Sequence, residues 1–76
     1  MYNFDIMLNS INDVKNFVNI VSKYDCDIDL TSGRYVVDAK SIMGIFSLDL
    51  SKPIKVEIHD ADSEAVVNEL APFVVK

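Results

Sequence analysis

The chain has 76 residues, half of them hydrophobic, and carries a net charge of −5 from 12 acidic and 7 basic side chains. That length makes one domain of marginal stability, spanning residues 1–76; the acidic balance argues against nucleic acid, whose affinity rests on basic patches. No apolar run approaches the ~20 residues of a membrane span, MYNFDIML lacks the basic start of a signal peptide, and the lone Cys26 fits a reducing compartment, so a soluble, cytoplasmic protein is expected.

Tyr2, Phe4, Ile6 and Leu8 alternate with Asn3, Asp5 and Met7, the period of a strand with one buried face. Asn9 and Ser10 break that pattern, and Ile11, Val14, Phe17, Val18, Val21 and Tyr24 then fall at steps of three and four, an amphipathic helix. Ser10 is its expected cap, with Asp13 three residues on forming a weak capping box. Cys26, Ile28 and Leu30 alternate with Asp27 and Asp29 in a second strand, and Thr31-Ser32-Gly33-Arg34 reads as a hairpin turn. In the third strand Tyr35, Val37 and Ala39 are expected to point inward, Val36 and Asp38 outward.

Ser41 opens a short helix, because Ile42, Met43, Ile45, Phe46 and Leu48 are too crowded for a strand with one wet face. Pro53 suits a strand start, and Ile54, Val56 and Ile58 alternate with Lys55, Glu57 and His59. Asp62 is the expected cap of a last helix carrying Ala65, Val66, Val67 and Leu70, and Pro72 should disturb its end. The order is β-α-β-β-α-β-α. One polar face per strand implies an α+β sandwich, a largely antiparallel sheet with helices on one side. The bare face would carry Asp27, Asp29, Val36, Asp38, Lys55, Glu57 and His59.

This order, with SKYDCDIDL and KSIMGIFSL, resembles the HPr family, the small phosphocarriers of the bacterial sugar phosphotransferase system. KSIMG is the sharp motif and is similar to the family's regulatory-serine segment. The match is ungapped from about Ser10 to Ile58; beyond it, His59-Asp60-Ala61-Asp62 lacks the glycine usual before the last helix. The resemblance implies an open-faced sandwich of four antiparallel strands and three helices, no cofactor, no metal and no enzymatic activity.

Members accept phosphate from enzyme I on a histidine at the start of the first helix, usually followed by Ala-Arg-Pro. Counting back from Ser22-Lys23-Tyr24, the histidine position falls on Ser10, the arginine position on Asn12 and the proline position on Asp13. A serine without an adjacent base does not hold a labile, high-energy phosphate, and Asp13 repels one. The ordinary relay is therefore expected to be absent, as in catabolite repression HPr.

Ser41 has two compatible readings. As a cap it contributes roughly 0.5–2 kcal/mol. As the counterpart of the family's regulatory serine it is the expected target of an HPr kinase/phosphorylase-like kinase, with the dianion placed at a helix start. By the same resemblance Lys40, Ile42, Met43 and Phe46 form a docking patch for a transcriptional regulator of the catabolite control type or for other phosphotransferase system proteins. A flexible methionine suits several partners.

The remaining candidates have bland readings. His59, the single histidine, falls by strand parity on the solvated sheet face, with a non-standard carrier site as the alternative. Asp25, Asp27 and Asp29 invite a calcium loop, but Leu30 and Val36 stand where glycine and glutamate are required. Cys26 has inward parity and no histidine nearby, so a small buried thiol is expected. Three functions follow: a regulatory non-carrier homologue, a carrier using another residue, or an interaction module that has lost both phosphorylations.

Overall fold

A computed structural model describes residues 2–59 and 64–75. Four strands, β1 (Tyr2–Ile6), β2 (Ile28–Ser32), β3 (Tyr35–Asp38) and β4 (Ile54–Ile58), and three helices, α1 (Ile11–Val21), α2 (Ile42–Phe46) and α3 (Glu64–Leu70), follow the expected order. The sheet runs β1-β4-β2-β3 and every pairing is antiparallel. Asp62 lies outside the described residues.

Period two in the strands separates the two faces. Ile6, Ile28, Leu30, Ile54, Val56 and Ile58 are buried and meet Val14, Phe17 and Val21 of α1, Ile45 of α2, and Val66 and Leu70 of α3. Phe17 is the largest side chain that is fully buried, and its ring meets that of Phe73 edge-on at 6.1 Å. A buried phenylalanine stabilises the fold by about 1.5–3 kcal/mol relative to exposure. The opposite face is solvated. Across it Glu57 stands opposite Asp29, and Asp29 opposite Asp38, three like charges in a row, while Asp5 faces Lys55. His59 Nε2 lies beside the row, 2.9 Å from Asp29 Oδ2.

Several expectations shift in detail. Thr31 and Ser32 belong to β2, leaving a two-residue turn in which Gly33 takes φ +60°. Glycine first with positive φ, then a residue with negative φ, is the type II′ pattern that matches strand twist. Cys26 precedes β2 and is half-buried, at the margin of the core. Tyr35 has inward parity but is 70 % exposed, because β3 is an edge strand and no helix reaches the hairpin tip. Ile11 is 62 % exposed for a related reason: it is the first residue of α1, beyond the part of the helix that lies over the sheet.

The end of the chain adds a feature that periodicity does not reveal. After α3 a 3₁₀ turn over Ala71–Phe73 accommodates Pro72. The backbone then runs along the outer edge of β1: Met7 N–H donates to Phe73 C=O and Val75 N–H to Asp5 C=O, both at 2.9 Å.

Candidate functional site around the two helix starts

Both candidate serines are helix N-caps with extended backbone. At the start of α1, Ser10 Oγ accepts the Asp13 N–H at 3.1 Å. Asp13 answers with a carboxylate oxygen that accepts from Asn9 N–H at 3.0 Å. The reciprocal cap thus reaches one residue further back than in the usual capping box. This closes the α1 start with neutral and acidic groups: Ser10, Asn12 and Asp13 place no cation there, and His59 lies on the far face of the sheet.

At the start of α2, Ser41 Oγ accepts the Gly44 N–H at 3.2 Å, and Ser41 C=O accepts from Ile45 N–H at 3.0 Å. Ser41 itself is exposed. Gly44 suits the position because a Cβ here would sit 3.2 Å from Ser41 Oγ and 3.3 Å from Val37 Cβ, tighter than ordinary contact. The short helix is pressed against β3, and only glycine fits the contact without displacing a neighbour. No imidazole or carboxylate is hydrogen-bonded to either serine hydroxyl among the described residues.

Around these caps the apolar residues divide. Ile45 is fully buried and Ile42 half-buried against the core, whereas Met43 is 78 % and Phe46 42 % exposed. Phe46 also lines a shallow depression of about 500 Å³ with Met7, Leu8, Asn9, Ser10, Ile11, Leu50 and Ser51. The starts of α1 and the end of α2 therefore share one surface, with Ile11 and Phe46 on its rim.

Lys40 is not a free cation in this surface. Its Nζ donates to Tyr24 C=O at 2.6 Å, and its backbone N–H donates to Asp38 Oδ1 at 2.9 Å. Tyr24 in turn donates its hydroxyl to Glu69 Oε1, and Lys23 Nζ pairs with Glu69 Oε2 at 2.7 Å. The hydrogen bond from Lys23, reinforced by that from Tyr24, holds the Glu69 carboxyl below its usual range, and the bond to Glu69 raises the Tyr24 phenol. This chain of contacts ties the approach to α2 to the end of α1 and to α3. Local sequence gave no signal for it, since its partners are far apart in the chain. Among the described residues, no cluster of histidine, cysteine or carboxylate side chains could hold a metal ion, and no helix is long and apolar enough to cross a membrane.

Comparison with known proteins agrees with this architecture. The family profile described as PTS HPr component phosphorylation site matches residues 13–76, beginning just after Ser10 and Asn12. HPr-C-His from Thermoanaerobacter tengcongensis is 28 % identical with a TM-score of 0.80, over 95 % of this chain and 89 % of that one. The phosphocarrier protein HPr of Bacillus anthracis is 26 % identical with a TM-score of 0.73, over 97 % and 94 %. A mycoplasma histidine-containing phosphocarrier protein, 14 % identical with a TM-score of 0.72 over 93 % and 86 %, shares the fold. No curated protein matches the chain. With the sheet order, the KSIMG helix start and the profile match in agreement over most of its length, the chain belongs to the HPr family.

Proposed function

We propose that this protein is a regulatory, non-carrier member of the HPr family, acting as a single cytoplasmic domain controlled by phosphorylation of Ser41. The family consists of phosphocarriers rather than enzymes, and membership implies contact with other proteins of the phosphotransferase system. The observation that carries the finer reading is the pair of helix starts. At α1 the residue that the resemblance sets at the position of the phosphate-accepting histidine is Ser10, whose hydroxyl is locked into a reciprocal cap with Asp13. At α2 the hydroxyl of Ser41 is exposed beside Met43 and Phe46.

A kinase of the HPr kinase/phosphorylase type would supply the base and transfer the γ-phosphoryl group of ATP to Ser41 Oγ, releasing ADP. The modified serine and the exposed Met43 and Phe46 would then form the surface read by a transcriptional regulator of the catabolite control type. In this reading Ile42 supports the surface from below. Lys40 contributes through its backbone and stem, unless phosphate draws its ammonium away from Tyr24 C=O.

Intact-mass measurement after incubation with such a kinase and ATP is the direct test. One added phosphoryl group, absent from Ser41→Ala, is expected. No gain on the wild type, or a gain that survives the substitution, removes the proposal. A parallel incubation with enzyme I and phosphoenolpyruvate is expected to leave no acid-labile phosphate; label on His59 would restore a carrier role.

A further inference from the structure

The two edges of the sheet are finished differently. The outer edge of β1 is occupied by the backbone of Phe73–Val75. β3 pairs with β2 alone among the described strands, and its outer side carries no proline or bulge; its only edge charges are Arg34 and Asp38, of opposite sign. Instead it presents Tyr35 and Val36, both mostly exposed.

The free backbone groups of this edge can be identified. Ala39 N–H donates to Ile28 C=O across the β2–β3 pair. Hydrogen-bonding direction alternates along a strand, so Tyr35 and Val37 also turn their amides towards β2. Val36 and Asp38 turn theirs outward, as does the carbonyl of Arg34 at the same parity. The Asp38 carbonyl is already taken by Ser41 N–H at 3.0 Å.

We propose that β3 pairs antiparallel with β3 of a second copy of this chain, joining the two sheets into one across a two-fold axis. The register is set by two independent requirements that agree. With Val36 opposite Val36 of the other copy, the two outward-facing amides exchange N–H···O bonds. On either side the Asp38 N–H meets the Arg34 carbonyl of the other copy. The same register sets the Arg34 guanidinium against the Asp38 carboxylate in both halves, on the same face as the two valines. Opposite charges and an apolar pair directly across an antiparallel ladder are the favourable cross-strand combinations. A register shifted by two residues either way loses the charge pairing and shortens the ladder. The contact is small, so association is weak and depends on concentration.

Sedimentation equilibrium of the intact chain, up to about 1 mM, tests this. A reversible monomer–dimer equilibrium is expected. Arg34→Asp and Asp38→Arg should each weaken it at least tenfold, since each sets like charges opposite one another in both halves. An equimolar mixture of the two variants should recover dimer, because opposite charges then meet across the two-fold. Recovery also shows that both variants are folded, and thermal melts of each provide a second check. A wild type that stays monomeric throughout overturns the proposal. So does a dimer indifferent to either substitution, or folded variants that fail to complement one another.

Discussion

Replacing Ser41 by alanine removes the hydroxyl that accepts the Gly44 N–H and leaves that donor to water. The expected cost is about 0.5–2 kcal/mol, measurable as a lower urea midpoint, and under the proposed regulation kinase labelling should be lost as well. Under the same proposal Ser10→Ala should remove a comparable cap and keep the labelling, which would separate the roles of the two serines. Glu69 behaves differently, because its carboxylate is stabilised by Lys23 and Tyr24. A carboxyl held low in the folded state contributes stability above its unfolded value and loses it as pH falls through the folded value. Glu69→Gln should therefore lower stability at neutral pH and flatten the acid side of the stability–pH profile, read from urea midpoints between pH 7 and pH 3. The raised Tyr24 phenol acts at the other end. Its contribution is complete below the unfolded tyrosine value and fades as pH rises through the folded one. The substitution should reduce that alkaline loss too, because the Glu69 carboxylate is the first cause of the raised phenol while burial of Tyr24 remains.

Among the elements, α2 lies close against β3 at Gly44. Alanine in place of Gly44 improves intrinsic helix propensity by about 1 kcal/mol, yet its Cβ meets Val37 Cβ, an atom fixed to the backbone of β3, at 3.3 Å. We expect Gly44→Ala to lower the melting temperature and to disturb the Ser41 cap, since Ser41 Oγ is the other close neighbour. The elements themselves were legible in the sequence wherever burial enforces a period. Ile54-Lys55-Val56-Glu57-Ile58 reads as β4 because one face is core and the other water. Legibility fails where an element outruns its cover. Tyr35 keeps inward parity at a hairpin tip that no described helix covers, and Ile11 keeps helical spacing ahead of the sheet. The motif KSIMG located the α2 start correctly, but the engagement of Lys40 with Tyr24 C=O depends on a packing that no local pattern encodes.

For the whole molecule, Phe17 links α1 to the sheet and, through its edge-on contact with Phe73, to the end of the chain. Phe17→Ala should cost about 3–5 kcal/mol, enough to unfold much of a domain this small, and circular dichroism in urea measures it directly. The overall sandwich could be read from one-sided strands. The strand order and the backbone clasp on β1 could not, because they join residues from opposite ends of the chain. That clasp also bears on how the fold is reached. Among the described residues β1 pairs with β4 and with Phe73–Val75, so its strand pairing must close a loop of roughly fifty residues, an entropic cost that falls before any reward. The β2–β3 hairpin, closed by two residues at Gly33-Arg34, faces no such delay. Substitutions in β1 such as Ile6→Val should therefore speed unfolding and leave the refolding rate nearly unchanged, and the first strand made is among the last to settle.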